Sequence, residues 1–472
     1  MRRYLHKTAS GIVKNKTVRA TPATWYWSST ENSVNNAWNV NFSSGNTNNN
    51  NKYNSNAVRA VAALTEEEIA GWIAAFEDCC RHKMSSVQCV MYRLEYEQDL
   101  LMLAAEVKLG IYRPKTSVCF CVSRPKVREI FAAAFRDRIA QHWIVLRIEP
   151  LLEARFVAQG NVSFNCRKGF GTLKAVEALE RDIIALTDGW KREAYVGRYD
   201  LSGFFMSINK DILWQLYETW LRDAYRGDDL YLLLELSRIT IMHCPQLDCQ
   251  RRGDLSLWER LPKRKSLFNL PPDTGMPIGN ITSQLLANFY LSYFDEWITG
   301  RCAEVGARYE RFVDDFTIVA RGPKEINAIV AEAGRFLMER LKLTLHPHKK
   351  FLQPARHGVL FVGTYVMPGR RYTSNRTVGG FVDAIRTLDA ASKAACQQRH
   401  TLRILEELEH GVMAVNSYLG FLVHTASYAI RVKRMRRARW AHWCCPPDQR
   451  YTKLKVRKEL RVREYLTRTE QL

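Results

Sequence analysis

Apolar and polar positions along the middle of the chain follow two different periods, and together they predict an α+β fold. Runs rich in β-branched and aromatic residues, typical of short strands, occupy residues 194–199, 309–313, 316–320, 343–345 and 359–365. Apolar residues that recur every three or four positions predict helices over residues 209–225, 230–241, 283–298 and 324–341. The resulting order of strand, helix, hairpin, helix and strand is that of a ferredoxin-like domain.

Both flanks of this region are predicted to be mainly helical. Thr65 can cap a helix and Glu68 stands three residues further on, which is the signature of a capping box. A second helix is predicted over residues 96–109, and residues 124–156 are predicted to be basic and, after Pro125, largely helical. From about residue 374 the chain is predicted to be helical and increasingly basic.

The first 64 residues differ in composition from everything after them. Asparagine, serine and glycine dominate between residues 30 and 60, and residues 48–51 are all asparagine. Such a segment buries little apolar area, so residues 1–64 are predicted to be a disordered leader.

Charge is the most unusual property of the overall composition. The chain has 472 residues, a formal charge of +22 and an isoelectric point near 9.6. A surplus of this size indicates a polyanionic partner, most often a nucleic acid. No run of about 18 apolar residues could span a bilayer, and residues 1–16 lack the apolar centre of a signal peptide. The sequence therefore predicts a cytoplasmic protein without a membrane partner.

The twelve cysteines do not form a recognisable metal or disulfide framework. His243, Cys244 and Cys249 offer ligand atoms for zinc, but their spacing fits neither a finger nor a ribbon. Reduced, incidental thiols are expected in this compartment.

Three aspartates carry the candidate chemistry. Asp200 ends a predicted strand, and Asp314 and Asp315 stand at the tip of a predicted hairpin. An isolated pair of aspartates is usually an ordinary turn, but three carboxylates could hold two Mg²⁺ ions about 3.5–4 Å apart. Two such ions suit nucleotidyl transfer, in which positioning and charge stabilisation dominate.

These motifs, from about residue 65 to about residue 431, resemble those of the reverse transcriptases. The stretch that begins at Asp200 is similar to the first palm motif, and residues 312–315 match the Y-x-D-D box with Phe312 in place of tyrosine. The resemblance implies a right-hand polymerase with fingers, palm and thumb. It also implies that Asp200 and Asp314 are the principal Mg²⁺ ligands and Asp315 an auxiliary one, with Mn²⁺ as a possible substitute metal. The backbone of Leu201 is a further candidate ligand.

The same resemblance assigns roles in nucleotide binding and catalysis. Lys126 and Arg128, in a stretch similar to the first reverse-transcriptase motif, would hold the triphosphate of a deoxynucleotide. Phe205 would be the gate that disfavours a 2′-hydroxyl, and Lys349 would protonate pyrophosphate. Two further arginines in similar motifs are candidates for function or for ordinary surface charge, and these are Arg136 and Arg167. Residues 358–363 are similar to the primer-grip hairpin.

The segment 276–284 indicates a subtype. Most reverse transcriptases carry Q-G-x-x-x-S-P here, whereas this chain has Ile278 before Gly279 and ends the motif with Gln284. The glycine permits close backbone approach to the nucleotide or template. The altered form is typical of reverse transcriptases of diversity-generating retroelements, and residues 416–420 of the predicted thumb are also similar to that group.

The leader is also interpretable within this family. Residues 25–31 and 58–61 resemble the variable segment of lectin-fold target proteins, which such retroelements specify by a template repeat. Mutagenic copying in this family acts at template adenines, and asparagine codons are rich in adenine. Residues 1–62 are therefore hypothesised to be a template repeat translated in frame. The resemblance implies a structured template RNA, an RNA/DNA duplex, deoxynucleotides and a pentameric accessory protein as partners.

The predicted organisation is a leader at 1–64, fingers at 65–190, a palm at 191–370 with an insertion at about 219–275, and a basic helical thumb and tail at 371–472. The basic tail, from Arg431 to Lys458, is predicted to contact nucleic acid or a partner. The alternatives are another bacterial reverse transcriptase of the retron or phage-defence type, and less readily a group II intron maturase. A lectin-like module in the leader and an inactive RNA-binding protein are alternatives of other classes.

Overall fold

The computed structural model describes residues 25–31, 36–41, 47–51, 64–81, 84, 86–94, 96–123, 126–397 and 401–469. Its α-helices, in chain order, are α1 Glu66–Cys80, α2 Val87–Leu94, α3 Tyr96–Lys108, α4 Phe135–Ala158, α5 Thr172–Leu186, α6 Phe204–Ser207, α7 Lys210–Ala224, α8 Leu230–Met242, α9 Ile281–Glu304, α10 Pro323–Leu341, α11 Asn375–Gln397, α12 Leu402–Leu422, α13 Tyr428–Met435, α14 Ala441–Cys444 and α15 Val462–Thr469. Its strands are β1 Trp25–Glu31, β2 Asn36–Asn41, β3 Thr47–Asn51, β4 Ser117–Val122, β5 Arg128–Ala132, β6 Tyr195–Leu201, β7 Cys249–Arg252, β8 Arg308–Phe312, β9 Asp315–Ala320, β10 Leu345–Pro354, β11 Val359–Phe361, β12 Thr364–Met367 and β13 Arg370–Thr373.

The chain forms two compact units. One comprises the described residues within 1–118, 132–147 and 226–250, and the other comprises those within 119–131, 148–225 and 251–472. The predicted fingers, palm and thumb boundaries stay predictions. No helix in the described part of the chain combines the length and apolar content needed to cross a bilayer.

In the first unit, α1 begins with the capping box that the sequence predicts. Thr65 Oγ1 accepts a hydrogen bond from the Glu68 backbone N–H at 3.2 Å, and Glu68 Oε2 accepts one from the Thr65 N–H at 2.7 Å. The apolar face of α1 then packs inward, where Trp72 stacks on Trp143 with ring centroids 5.2 Å apart. The helix predicted over residues 96–109 is confirmed as α3.

The leader contains a three-stranded antiparallel sheet in the order β1-β2-β3. In these three segments the structure differs from the predicted disorder, since their backbones pair as antiparallel strands. The rest of residues 1–63, including the second part of the proposed repeat at 58–61, lies outside the described residues.

The prediction of a largely helical segment over residues 124–156 is wrong at its start. Residues 128–132 form the strand β5, and the helix α4 begins at Phe135. In β5 the buried positions alternate, with Glu129 and Phe131 facing inward. The sequence concealed this period of two because one inward position is an acid.

A four-stranded antiparallel sheet in the order β10-β6-β9-β8 forms the centre of the second unit. In chain order these strands are the fourth, first, third and second, which is the strand order of a ferredoxin-like fold and confirms that prediction. Behind the sheet, α5 and the hairpin β11–β12 contribute to one apolar cluster with β6 and β9. The helix α9 is buried on most sides, as expected for a helix without a polar face.

The C-terminal part of this unit has its own core. Buried residues of α11, α12, α13 and α14 form one cluster that extends to Leu454 and Leu460. The predicted helical character after residue 374 is confirmed by α11 to α15. Residues 398–400 and 470–472 lie outside the described residues.

Candidate active site

Adjoining strands bring the three aspartates together at one end of the central sheet. Asp200 on β6 is the direct antiparallel partner of Asp315 on β9, so their side chains project from the same face. The Leu201 N–H donates to the Asp314 carbonyl at 3.1 Å, which ties the hairpin to the end of β6. The predicted hairpin is confirmed, but its turn consists of Val313 and Asp314, while Asp315 already belongs to β9.

The turn places a β-branched residue in a left-handed conformation. Val313 has a φ of +58°, a region that branched side chains rarely adopt. Two polar side chains hold its backbone there. The Val313 N–H donates to Asn165 Oδ1 at 2.8 Å, and Arg311 Nη1 donates to the Val313 carbonyl at 3.0 Å. Asp314 is therefore positioned by one neighbour in sequence, Arg311, and by one distant residue, Asn165.

Arg311 is itself part of a buried polar network. Its side chain and that of Asp295 are both fully buried, and they form an ion pair through two guanidinium nitrogens. Arg311 Nη2 also donates to Asn288 Oδ1 at 2.8 Å, and Asn288 Nδ2 donates to the Asn165 carbonyl at 3.2 Å. The network joins α9 to the residues that hold the turn, and no role was predicted for any of its members from the sequence.

The electrostatics of the aspartates reflect burial and mutual repulsion. Burial, followed by the charges of Asp314 and Asp200, raises the pKa of Asp315 to about 7. Burial and the charge of Asp200 also raise the pKa of Asp314, while Lys349 and Arg128 act in the opposite direction. Clustered acids with raised pKa values mark functional sites, because burial of like charges has no structural benefit.

Lys349 reaches this cluster through an irregularity in β10. Leu345 pairs with Leu201 and Lys350 pairs with Tyr199, so four residues of β10 bulge opposite Asp200 alone. Within this bulge, Lys349 Nζ forms an ion pair with Asp200 Oδ2. The structure thus brings Lys349 to the aspartates, as the resemblance implied. Strand β10 begins at Leu345, the last residue of the predicted run at 343–345, and continues to Pro354. This strand was not predicted from the sequence because its centre is rich in histidine and lysine.

Phe205 lies next to the motif that contains Gly279. Its carbonyl accepts from the Met276 N–H at 2.8 Å, and the Ile208 carbonyl accepts from the Gly275 N–H at 2.8 Å. These bonds link α6, which follows Asp200, to the start of the Ile278–Gly279 segment.

Gly279 occupies a position that admits no side chain. Its φ is +127°, and an added Cβ would lie 2.5 Å from the Phe131 carbonyl oxygen. The Phe131 N–H donates to the Ile278 carbonyl at 2.8 Å, so β5 is hydrogen-bonded to this segment. The Ile278 side chain is half-buried, and Gln284 is exposed at the start of α9.

The strand β5 carries Arg128, and Lys126 precedes it. Between Arg128 and Phe131, the buried Glu129 carboxylate accepts three hydrogen bonds from the connection that precedes the Ile278–Gly279 segment. Arg128 therefore stands on a strand fixed on both sides, and its charge acts on Asp314. The structure brings Arg128 within electrostatic reach of the aspartates.

The two other candidate arginines serve the fold. Arg136 is buried and forms ion pairs with Asp99 and Glu106. Arg167 is buried and binds Glu153 with two guanidinium nitrogens, while its Nη1 donates to the Ser163 carbonyl. Neither guanidinium is available for a substrate, so the functional interpretation of these two residues is wrong.

The aspartates fit a hard divalent cation. In the described part of the chain, no group of three His, Cys, Asp or Glu side chains forms a preformed metal cage. Carboxylate oxygens are nevertheless the ligands that Mg²⁺ prefers. A cation beside Asp314 and Asp315 would offset the burial and repulsion that raise their pKa values.

The family model described as "Reverse transcriptase (RNA-dependent DNA polymerase)" matches residues 114–366, which is more than half of the chain. The chain therefore belongs to the reverse transcriptase family, and the predicted α+β right-hand polymerase fold is confirmed. The matched range includes the aspartates, Lys349 and the Ile278–Gly279 segment.

Similar proteins come from bacteria and yeasts. Protein YkfC of Escherichia coli (strain K12) is 24% identical over 329 residues, which cover 62% of this chain and 78% of that protein. Apo telomerase from Candida tropicalis matches with a TM-score of 0.42 and 12% identity. The match covers 70% of this chain and 57% of the telomerase chain. Telomerase from Candida albicans, in complex with a fragment of telomeric RNA, matches with a TM-score of 0.41 and 10% identity. This chain spans 61% of that telomerase.

Proposed function

We propose that this protein is an RNA-directed DNA polymerase that copies a template RNA into DNA in the cytoplasm. The observation that carries the proposal is the convergence of Asp200, Asp314 and Asp315 at the end of a ferredoxin-like sheet, with Lys349 beside them. Family membership gives the reaction class, and the charge of +22 suits a nucleic-acid substrate.

The candidate site residues would have different roles in the reaction, according to their positions. Asp200, Asp314 and Asp315 would hold Mg²⁺, or Mn²⁺ in its place, and the bound metal would activate the primer 3′-hydroxyl and offset charge on the leaving pyrophosphate. Lys126 and Arg128 bind the triphosphate of the incoming deoxynucleotide. Phe205 would be the gate that disfavours a 2′-hydroxyl, and Lys349 would donate a proton to pyrophosphate.

We further propose that the copying is inaccurate and serves to diversify a target gene. Ile278 replaces the glutamine that most reverse transcriptases carry before Gly279, so an aliphatic side chain stands where a hydrogen-bonding one is usual. Its backbone is fixed by β5, which leaves the side chain as the variable part of the contact. The template would be a repeat RNA whose adenines are miscopied, and the partners would include a pentameric accessory protein.

The polymerase assignment is tested by Asp314→Ala. This change should abolish primer extension on an RNA template and leave RNA binding measurable, because it removes a metal ligand and no basic residue. The matched control is Asp383→Ala, at an exposed position on α11. Extension by Asp314→Ala at the rate of the control would refute the assignment.

The subtype is tested by sequencing cDNA made from the RNA encoded beside the gene. Errors concentrated at template adenines would support diversification. Errors spread over all four bases, together with a structured non-coding RNA and no repeat pair, would favour a reverse transcriptase of the retron or phage-defence type. The nucleotide sequence also tests the leader hypothesis, because a translated repeat requires a near-identical copy that differs at adenines.

A further inference from the structure

Three consecutive cations lie in the connection between β7 and α9. Lys263–Lys265 form a 3-10 turn, called the basic turn below, and all three side chains are exposed. None of the reverse-transcriptase motifs described above includes this turn. Exposed cations are common on protein surfaces and need no special explanation. The position of the basic turn in the fold, however, indicates a specific role.

Glu129 fastens this connection to the strand β5. Its carboxylate is 1% exposed and accepts from Leu267 N–H at 2.9 Å, Ser266 Oγ at 2.8 Å and Trp258 Nε1 at 2.8 Å. Ser266 directly follows Lys265, and Arg128 directly precedes Glu129. A single buried carboxylate thus fixes the end of the basic turn beside the strand that carries Arg128.

Aromatic contacts reinforce the same junction. The rings of Phe131 and Phe268 lie 5.8 Å apart, and the Arg251 guanidinium stands 3.9 Å from the centroid of the Phe268 ring. These contacts flank the Glu129 hydrogen bonds on both chain segments. The basic turn is therefore anchored at a defined place near β5.

Lys265, at the end of the basic turn, lies within electrostatic reach of other cations. Burial lowers its pKa, and the charges that lower it further belong to Lys126, Lys349, Arg264 and Arg128. Lys349 binds Asp200, and Arg128 acts on Asp314, so this group of cations borders the aspartate cluster. A set of converging cations is unfavourable in the free protein and favours an anion with several charges.

We propose that Lys265, held by Glu129, binds the polyphosphate of the incoming nucleotide together with Lys126 and Arg128. The proposal rests on the proposed polymerase function, which places the reacting α-phosphate at the aspartates. A polyphosphate fits the site better than a template phosphate, because its charges are concentrated next to the carboxylates where cations from three chain segments meet. Glu129 is a positioning residue, since it acts through the backbone and side chains of the turn.

Lys265→Ala is the direct test, with Lys263→Ala as its matched control. Both changes remove one exposed lysine from the same turn, but the charges that act most strongly on Lys265 belong to Lys126, Lys349, Arg264 and Arg128. Lys265→Ala should raise the KM for deoxynucleotides about tenfold with a smaller change in kcat, as removal of a charge-assisted hydrogen bond predicts. Lys263→Ala should change KM by less than about twofold, and Lys265→Arg should restore most of the affinity.

A binding measurement separates this proposal from the polymerase assignment. Calorimetry with inorganic tripolyphosphate, on the full chain and without metal, should show weaker binding by Lys265→Ala than by Lys263→Ala. If the wild-type protein does not extend primers, the polymerase assignment fails while this measurement still decides the role of Lys265. If the wild-type protein extends primers and the two lysine variants behave alike in both assays, the proposal is overturned.

Glu129→Gln tests the positioning role. A glutamine keeps one acceptor oxygen and loses the other, so the turn should loosen and the KM for deoxynucleotides should rise. In the double variant, Glu129→Gln should raise the KM for deoxynucleotides little beyond the effect of Lys265→Ala alone, because both changes act on one interaction. Fully additive effects would contradict positioning through Lys265. A Lys265→Ala variant that loses template RNA affinity with unchanged KM would assign the turn to the template backbone and overturn the proposal.

Discussion

At the residue scale, the site depends on a strained turn that its neighbours hold in place. Val313 adopts a left-handed φ of +58° without being glycine, asparagine or aspartate. Strain of this kind persists where surrounding contacts determine the backbone, and it occurs most often at functional sites. Asn165 is the closest support, because its Oδ1 accepts the Val313 N–H.

Asn165→Ala should therefore reduce polymerase activity by more than its loss of folding stability explains. The change leaves a half-buried N–H unpaired at the cost of about 1–3 kcal/mol, and it frees the turn that positions Asp314. We expect kcat to fall about tenfold or more, with an unchanged circular dichroism spectrum at 25 °C. An unchanged kcat in a variant with a lower melting temperature would show that Asn165 supports the fold only.

Glu310 gives a pH-dependent prediction at the same scale. It lies in β8, and burial, followed by the nearby Asp182 charge, raises its pKa to about 10 from the ordinary value of 4.5. The unfolded state releases the Glu310 proton above about pH 4.5, whereas the folded state keeps it up to about pH 10. The contribution of Glu310 to the free energy of unfolding therefore falls as pH rises between these two values.

Glu310→Gln should remove this dependence, because glutamine is neutral at every pH and similar in shape. The melting temperature of the variant should be close to that of the wild type at pH 5 and exceed it at pH 9, by roughly 2–4 °C for each kcal/mol involved. Thermal melts at both pH values measure the difference. A difference that stays constant between pH 5 and 9 would contradict a protonated Glu310.

At the element scale, the buried pair Asp295–Arg311 joins α9 to β8. Both side chains are fully buried, and Tyr309 Oη also donates to Asp295 Oδ1 at 2.7 Å. A buried pair seldom stabilises more than apolar residues of the same volume, but removal of one partner leaves an unpaired charge. Its presence here is explained by the bond from Arg311 to the Val313 carbonyl.

Two variants should consequently show that folding stability can be recovered without polymerase activity. Asp295→Ala should lower the free energy of unfolding by about 3–5 kcal/mol. The double change Asp295→Leu with Arg311→Met should recover much of that stability, because no charge remains unpaired, and yet stay inactive. Urea unfolding and primer extension measure the two effects, and an active double variant would show that Arg311 does not position the turn.

At the scale of the whole molecule, the charge of +22 predicts salt-sensitive RNA binding. Only some cations of the basic tail are exposed. Arg431 is buried and donates to the carbonyls of Arg450 and Tyr451, so its predicted nucleic-acid contact is wrong. Lys433, Arg436 and Arg437 are exposed.

Replacement of these three exposed cations by glutamine should weaken RNA binding and its salt dependence together. Each cation that binds a phosphate of a single strand adds about 0.7 to the slope of log K against log salt, so three replacements should reduce the slope by about 2. Binding titrations at several salt concentrations measure the slope, with Arg403→Gln on α12 as an exposed control. A weaker affinity with an unchanged slope would indicate an indirect effect on the thumb.

The sequence by itself determined the chemistry-bearing residues and the order of the central elements. Asp200, Asp314 and Lys349 lie in short motifs, and the strand and helix periods around them are local, so both could be predicted. The strand β5 was missed because its inward position is occupied by Glu129, which hides the alternation that a strand otherwise shows.

Only the tertiary structure decided how the site is held together. Asn165 supports a turn 148 residues away, and Glu129 fixes a connection more than a hundred residues further along the chain. Such partners leave no periodic or motif signal, because a buried polar side chain is specified by whatever group the fold brings to it. The same reason explains why Arg136 and Arg167, two arginines in recognisable motifs, proved to be buried in ion pairs: their acidic partners became visible only in the folded chain.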